Sequence, residues 1–377
     1  MIRIFRPIAL AVLIFVVVGC SRQNSPGPGP TTQKLVSQSF VDSENGWVAA
    51  AECPTTASSS VSFACRSVIY RTVDGGRTWS VSARIIMSPK KISFTDQQTG
   101  WLVGSIGEKC GPNVCPNVVM LSQDGGKSWN RVSTVSGELV DVVAFSGNDA
   151  WALGQVCDAV ARCSAELVRT TSAGQIWDNR DLPLAGADFH LERFGVANGW
   201  VGGTLSGGVG TEMLGTPDGG ATWRALALPC QGGSSRFDFI SATAGWLICS
   251  PSSSKTTGGA VGQIYQTVDA GRSWTDLGVV SDPSTPSTVR GAAAPDPIGG
   301  LRFSSPDRGW LVLADGRLFA TDDGGQSWRK ELTVAAGGRD VQFVTPTTGW
   351  ILGQNQIWWT ADAGKTWTAA FVSRAAT

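Results

Sequence analysis

An eight-residue pattern that ends in Trp recurs seven times in this sequence, and it restricts the folds open to the chain. Six copies have Asp five residues and Gly three residues before the Trp, and the seventh has Ser172 in place of the Asp. Successive copies lie 39 to 54 residues apart, a period typical of repeated supersecondary units. The copies end at Trp79, Trp129, Trp177, Trp223, Trp274, Trp328 and Trp367.

A second aromatic pattern precedes each copy. A Phe is followed six or seven residues later by a Trp and a short apolar run. Together the two patterns contain fourteen of the sixteen Trp residues, which predicts a structural role for most of them. The pairs are Phe40 with Trp47, Phe94 with Trp101, Phe145 with Trp151, Phe194 with Trp200, Phe239 with Trp246, Phe303 with Trp310, and Phe343 with Trp350.

Residues 90 to 133 show how one repeat is built. "KKISFT", "WLVGSIG", "NVVMLS" and "SWNRVST" predict four strands separated by turns. In the repeated pattern, Asp can accept hydrogen bonds from backbone N–H groups, and Gly can adopt positive φ. We therefore assign the Asp residues to a structural turn between strands three and four. They are Asp74, Asp124, Asp218, Asp269, Asp323 and Asp362.

Seven four-stranded sheets would expose unpaired edges, and closure into a ring protects them. A β-sandwich and a right-handed β-helix are the alternatives, but sandwiches rarely hold 28 strands and β-helix repeats are shorter. The predicted fold class is all-β, a seven-bladed β-propeller of four-stranded antiparallel blades over residues 34–377. The repeats fall in whole blades, with no strand left over to overlap where the ring closes.

The N-terminal residues predict export. Residues 1–19 combine Arg3 and Arg6 with an apolar run too short to span a bilayer. The run ends in "VVGC", which resembles a bacterial lipobox, so Cys20 is predicted to carry a lipid; an ordinary signal peptide or uncleaved anchor is the alternative. Residues 20–33 are predicted to form a flexible tether. We expect an extracytoplasmic protein on the periplasmic or cell-surface side, held to the membrane through the lipid only.

The remaining eight Cys residues fall into four sequence-local pairs. In an exported chain such pairs predict disulfides. Zinc is the alternative, but the spacings are unusual for zinc and His190 is the only His, so no metal or other cofactor is expected. The pairs are Cys53 with Cys65, Cys110 with Cys115, Cys157 with Cys163, and Cys230 with Cys249.

The connections between strands are uneven in length. Blades 1, 2, 3 and 5 have long loops on the face opposite the boxes, whereas blades 6 and 7 have tight hairpins at 314–317 and 353–356. We hypothesise that a protein partner binds the loop face of blades 1–5; insertions without function are the alternative. With 30 basic and 30 acidic residues, nucleic acid is not an expected partner.

The repeated pattern is similar to the Asp box, or bacterial neuraminidase repeat. The seven boxes, the "GW" of the second strand and the lipobox together resemble the photosystem II stability and assembly factors, which have relatives in non-phototrophic bacteria. The resemblance implies a non-catalytic protein that binds a photosystem II reaction-centre subunit during biogenesis. No binding residue of that family can be matched to a position here.

A sialidase-like glycoside hydrolase or a glycan-binding propeller is the alternative function. A sialidase needs an arginine triad, a Tyr nucleophile activated by Glu, and an acid Asp. The chain has only Tyr70 and Tyr265, each two residues before a box Thr, and neither is paired recognisably with a Glu. We therefore predict a protein-binding scaffold and not an enzyme.

Overall fold

The computed structural model describes residues 31–54, 65–106, 116–135, 137–158, 163–204, 211–230, 234–250, 259–282, 298–334 and 337–372. These residues form strands, turns and short connections. No helix long and apolar enough to cross a membrane occurs among them. The predicted lipid site Cys20 and the pair Cys110 and Cys115 lie outside the described residues.

The described strands form seven four-stranded antiparallel sheets, each with its strands in chain order. Blade 1 contains β1 Thr31–Phe40, β2 Gly46–Pro54, β3 Arg66–Thr72 and β4 Ser80–Ile85; blade 2, β5 Ser88–Phe94, β6 Gly100–Ser105, β7 Asn117–Ser122 and β8 Asn130–Val135; blade 3, β9 Glu138–Ala144, β10 Ala150–Cys157, β11 Cys163–Thr170 and β12 Asp178–Ala185; blade 4, β13 Ala187–Phe194, β14 Asn198–Thr204, β15 Thr211–Thr216 and β16 Arg224–Leu226; blade 5, β17 Ser235–Phe239, β18 Gly245–Cys249, β19 Ala260–Thr267 and β20 Thr275–Ser281; blade 6, β21 Ile298–Phe303, β22 Gly309–Leu313, β23 Arg317–Thr321 and β24 Arg329–Thr333; blade 7, β25 Gly338–Phe343, β26 Gly349–Gly353, β27 Gln356–Thr360 and β28 Thr368–Val372.

The first strands of the blades contact one another around a common axis, and blade 7 contacts blade 1. The predicted seven-bladed propeller is therefore confirmed. Strand β1 begins at Thr31, three residues before the predicted boundary, because Thr31 pairs with Pro54 and Thr32 with Cys53. We call the side with the Asp boxes the box face and the opposite side, with the connections between strands two and three, the loop face.

Aromatic stacking joins one blade to the next. The ring centroids of Trp47 in blade 1 and Phe94 in blade 2 lie 3.7 Å apart, at an interplanar angle of 4°. The Trp is fully buried, so the stack forms the core of the joint. The same stack joins Trp200 to Phe239, Trp246 to Phe303, Trp310 to Phe343, and Trp350 to Phe40.

The Gly of each "GW" makes room for this stack. A Cβ added to Gly46 would lie 2.2 Å from the ring of Phe40, and one added to Gly309 would lie 2.5 Å from Phe303. The Phe of a blade thus covers the Gly of its own second strand while it stacks on the Trp of the preceding blade. Any larger residue at these Gly positions would push the ring off the Trp.

Blades 3 and 4 depart from the predicted aromatic pattern. The stacking position is always seven residues before the Trp, and blades 3 and 4 have Ala144 and Arg193 there. Phe145 and Phe194, one residue later, point outward and are 48% and 42% exposed. The prediction that Phe145 and Phe194 are equivalent to the other five Phe residues is therefore wrong. A shift of one residue turns a strand side chain to the other face of the sheet.

Arg193 replaces the missing aromatic ring at the joint between blades 3 and 4. Its guanidinium carbon lies 4.3 Å from the ring centroid of Trp151. The same group makes two hydrogen bonds to the carboxylate of Asp149, of 2.6 and 2.8 Å. A stacked, paired guanidinium can fill this position because it combines a flat surface with a neutralised charge.

The Asp boxes form one repeated hydrogen-bond pattern. In blade 1 the carboxylate of Asp74 accepts hydrogen bonds from the backbone N–H and the hydroxyl of Thr78, at 2.9 and 2.6 Å. The hydroxyl of Thr72 donates to Asp74 and accepts from the N–H of Gly76, both at 2.8 Å. The other five boxes with Asp repeat these bonds.

The boxes also hold neighbouring blades together. The indole N–H of Trp47 donates to the carbonyl of Gly125 in the box of blade 2, at 2.9 Å. Trp350 donates in the same way to Gly75, which lies across the closure of the ring. The box is thus a structural element of the joint as well as of its own turn.

The joint between blades 7 and 1, which closes the ring, contains the same aromatic stack, between Trp350 and Phe40. The side-chain amide of Gln342 accepts from the N–H of Phe40 at 3.0 Å and donates to its carbonyl at 2.9 Å. The N–H of Leu35 donates to the carbonyl of Gln354 at 2.8 Å. Each described blade keeps its own four strands, so packing and hydrogen bonds close the ring without an exchanged strand.

Three of the four predicted disulfides are present in the described residues, and all three lie on the loop face. They join Cys53 to Cys65, Cys157 to Cys163, and Cys230 to Cys249.

We expect Phe303→Ala to lower the free energy of unfolding by about 3 to 5 kcal/mol, because it empties a buried stack. Phe145→Ala is the matched control and should cost less than about 1 kcal/mol, since that ring is half exposed. Urea denaturation followed by Trp fluorescence measures both. Equal losses in the two variants would contradict the assignment of the joint.

The boxes should make stability depend on acid pH. The hydroxyl and N–H of Ser273 lower the pKa of Asp269 from 3.8 to about 2. Because the folded-state pKa is the lower one, this stabilisation is present above about pH 4 and is lost as the pH falls towards 2. We expect Asp269→Asn to lower the melting temperature at pH 7 and to differ much less from the unsubstituted protein at pH 2.

Asp307→Asn is the control for this measurement, because Asp307 is an exposed carboxylate on the same face but outside a box. It should leave the melting temperature unchanged at both pH values. A deficit of Asp269→Asn that is equally large at pH 7 and pH 2 would refute the proposed origin of the acid sensitivity.

Candidate functional site: the axial cavity

The inner strands of the seven blades surround a polar cavity on the propeller axis. A chamber of about 470 Å³ lies towards the loop face, and one of about 240 Å³ lies towards the box face. Both chambers are lined by Lys91, Asp141, His190, Arg302 and Asp340, so they form one continuous cavity. A cavity of this size is in the range that accommodates small ligands or a short peptide segment.

Two rings of side chains line the cavity because alternate residues of each inner strand face the axis. The first ring lies eight residues before the buried Trp of each second strand, and the second ring lies ten residues before it. The first comprises Ser39, Ser93, Val143, Glu192, Asp238, Arg302 and Gln342; the second comprises Ser37, Lys91, Asp141, His190, Arg236, Gly300 and Asp340. All of these except the covered Asp238 contact the cavity.

Several residues of the first ring have a structural function. The hydroxyl of Ser39 accepts from the N–H of Phe94 in the next blade at 2.8 Å. Glu192 accepts from the N–H of Phe239 in the same way, at 2.9 Å. Ser93, Asp238 and Gln342 accept a backbone N–H of the next blade in the same way, whereas Val143 and Arg302 supply no acceptor.

His190 lies between two carboxylates in the cavity wall. Its Nδ1 is 3.3 Å from Asp141 and its Nε2 is 3.3 Å from Glu192. Burial opposes protonation, but the hydrogen bonds and charges of the two carboxylates outweigh it and raise the pKa of His190. Because both ring nitrogens are engaged, His190 fits a structural role better than that of a free base.

Arg302 lies among three acidic residues of the same wall. Its guanidinium bonds to the carboxylate of Asp238 and lies 3.7 Å from that of Glu192. Burial raises the pKa of Asp238 to about 7, against the opposing effects of Arg302 and the N–H of Phe303. The third acidic residue, Asp340, forms an ion pair with Lys91, whose Nζ lies 3.8 Å from the Asp340 carboxylate.

Two cations of the loop-face chamber have no carboxylate partner among the described residues. The guanidinium of Arg236 contacts the carbonyl of Ser235 at 2.9 Å, and that of Arg339 contacts the carbonyl of Leu35 at 3.5 Å. Burial lowers the pKa of both, although at Arg236 the charges of Asp188, Asp141 and Asp340 oppose this effect. Arg236 belongs to blade 5 and Arg339 to blade 7, whereas blade 6 places Gly299 and Gly300 between them.

This arrangement can bind an anion. The two glycines place no side chain between the guanidinium groups, and the inner strand of blade 7 passes so close that a Cβ added to Gly299 would lie 2.4 Å from the carbonyl oxygen of Gly338. Guanidinium groups bind carboxylates and phosphates through paired, charge-assisted hydrogen bonds. The unpaired cations therefore mark the part of the cavity most suited to an external ligand.

The residues predicted from sequence as candidate sites lie elsewhere. The six Asp residues of the boxes are on the box face, and the described disulfides are on the loop face. The hydroxyl of Tyr70 is engaged by the side chain of Gln33 at 2.8 Å, and neither Tyr70 nor Tyr265 lines the cavity. Most residues of the long loops assigned to a binding surface lie outside the described residues.

The cavity was missed at the sequence level, although a signal for it exists. Counting eight and ten residues back from the buried Trp of each second strand gives both rings without a structure. In the described part of the chain, no group of three or more His, Cys, Asp or Glu residues is arranged to hold a metal ion.

The fold and the repeats define this chain as a seven-bladed Asp-box propeller with a polar axial cavity. A family model described as photosynthesis system II assembly factor YCF48 matches residues 296–374. A curated relative, the photosystem II assembly lipoprotein Ycf48 of Synechocystis sp., is 38% identical over 60 residues. That match spans 15% of this chain and 18% of the relative. The chain is thus similar to the photosystem II assembly factors, as its repeats predict.

Solved structures extend the likeness in fold to nearly the whole chain. A structure of YCF48 bound to D1 peptide has a TM-score of 0.58 at 20% identity, over 89% of this chain and 95% of the other. YCF48 from Cyanidioschyzon merolae has a TM-score of 0.58 at 18% identity, over 90% and 98%. An acylaminoacyl peptidase of Pyrococcus horikoshii has a TM-score of 0.53 at 8% identity, over 87% and 51%. At these identities the likeness is one of fold.

We expect Arg302→Met to lower the free energy of unfolding by about 3 kcal/mol. This value is at the low end of the range for breaking a buried ion pair, because the Arg302 side chain is 35% exposed. The loss comes from Asp238, which stays buried without its cation. Adding Asp238→Asn should recover part of it, because the amide oxygen can still accept from the N–H of Phe303. A double variant no more stable than Arg302→Met in urea would contradict this account.

Proposed function

We propose that this protein is a non-catalytic, lipid-anchored, extracytoplasmic scaffold that binds a segment of another protein during assembly of a membrane complex. The axial cavity would receive an acidic side chain or a C-terminal carboxylate of that segment. The observation that carries the proposal is the pair of partly buried cations, Arg236 and Arg339, which form no ion pair with a carboxylate of the described residues and face an open chamber.

The relatives support a protein ligand. The Synechocystis relative is named a photosystem II assembly lipoprotein, and a solved YCF48 has a D1 peptide bound. A peptide with a carboxylate at its end or in a side chain would satisfy both guanidinium groups. The long loops of blades 1–5 would then contact the rest of the partner, as the sequence predicts.

The lipid anchor is part of this proposal. The "VVGC" motif that ends at Cys20 follows an apolar run of signal-peptide length, and the Synechocystis relative is called a lipoprotein. We infer that the lipid on Cys20 holds the propeller on the periplasmic or cell-surface side of a bacterial membrane, with no membrane contact required of the propeller itself.

A glycoside hydrolase is not favoured by the cavity. Three arginines line the loop-face chamber, as a sialidase would require, but Arg302 is committed to Asp238 and Glu192. The two Tyr residues, which would supply the nucleophile, lie outside the cavity lining. The distant peptidase likeness concerns the fold and supplies no reacting group.

The binding test uses the mature chain without lipid and the D1 peptide that binds the solved relative. We expect Arg236→Gln and Arg339→Gln each to weaken binding at least tenfold by calorimetry, because each removes one arm of the anion site. Arg84→Gln is the matched control: Arg84 is an exposed arginine on the outer strand of blade 1, paired with Glu52, and its loss should change nothing.

Equal binding by all three variants would refute the cavity as the site of a peptide carboxylate. A peptide with its acidic groups amidated should bind as weakly as the cavity variants do. Cleavage of a fluorogenic sialoside that the same two substitutions abolish would instead establish the hydrolase alternative.

A further inference from the structure

We propose that the loop face is the membrane-proximal face of the propeller. The axial cavity would then open towards the bilayer, and its ligand would be an extracytoplasmic segment of an integral membrane protein. This orientation rests on the lipid at Cys20 in the proposed function. It goes beyond that function because it states from which side, and from what kind of partner, the ligand arrives.

The first described strand begins on the loop face. Thr31 pairs with Pro54 and Thr32 with Cys53, at the end of β2 that continues into the connection to β3. The disulfide from Cys53 to Cys65 closes that connection. The chain therefore enters the fold on the same side as the described disulfides and opposite the Asp boxes.

The point of entry is also close to the axis. β1 is the innermost strand of its blade, and Val36 and Ser37, five and six residues after Thr31, line the loop-face chamber. The N–H of Leu35 is bonded to Gln354 in the short loop-face hairpin of blade 7. A tether attached here would leave the propeller beside the opening of the cavity.

The length of the tether limits the possible orientations. Eleven residues, from Cys20 to residue 30, precede β1. Fully extended they would span at most about 36 to 40 Å, and a coil of that length averages about 20 Å.

A lipid at the box face would require a longer path. The distance from the innermost to the outermost strand of a blade is about 14 Å, because it comprises three strand spacings of about 4.8 Å. Passing along a blade edge of eight residues adds about 26 Å. The total of about 40 Å, before the side chains of the rim are included, takes up the whole reach of the fully extended tether and is about twice its average span as a coil. The lipid therefore reaches the bilayer with the loop face nearer to it.

Fluorescence quenching in vesicles can test the orientation. The full chain, expressed with its signal and purified with its lipid, would be placed in phosphatidylcholine vesicles that contain a lipid-attached quencher. Asn355→Cys and Lys365→Cys each give one label site in blade 7, the first in the loop-face hairpin and the second in the Asp box. Both side chains are exposed, so the labels differ mainly in their face; background labelling is subtracted with the unsubstituted chain.

We expect quenching at position 355 to exceed that at position 365 several-fold. Equal quenching, or stronger quenching at 365, overturns the orientation while leaving the anchor and the peptide site intact. Absence of quenching at both positions, together with a mass that shows Cys20 without lipid, overturns the anchor and the orientation with it. The binding test above is independent of both results, because it uses the chain without lipid.

Discussion

The structure depends on the packing of a buried Trp in one blade against an aromatic ring in the next. The Phe of the stack also needs the Gly of its own second strand, because its ring lies directly over that Gly. The stack also brings the indole N–H to the Asp box of the following blade, as Trp47 does to Gly125 and Trp350 to Gly75. Aromatic packing, the Gly and the box are therefore parts of one interblade contact, and its stack recurs at five of the seven joints.

The same contact limits where function can be placed. Inner-strand residues eight positions before the Trp are used to accept hydrogen bonds from the next blade, as Ser39 and Glu192 do. Residues two or three positions earlier make fewer of these hydrogen bonds, with Ser37 and Asp141 as acceptors. Arg236 and Arg339 lie in that region, on either side of blade 6, which has Gly299 and Gly300 at the equivalent positions. A ring of equivalent blades thus acquires an asymmetric site.

Much of the fold could be predicted because its determinants are local. The bonds between Asp74 and Thr78 span four residues, so a short pattern specifies the turn, and its seven repeats specify the number of blades. The error at Phe145 and Phe194 has an equally local cause. Spacings of six and seven residues between Phe and Trp are easily grouped together in a sequence. In a strand, this difference of one residue decides whether the Phe ring enters the joint or faces the solvent.

The sequence by itself determined the repeat, the turn chemistry, the number of blades and the pairing of the described cysteines. Each of these follows from residues close together in the chain or from a fixed period. Only the tertiary structure showed the axial cavity, since the strand segments that form it are about 50 residues apart and meet only when the ring closes. The tertiary structure also decided which cations form ion pairs. Arg302 pairs with Asp238 of the adjacent blade, whereas Arg236 and Arg339 form no ion pair with a carboxylate of the described residues.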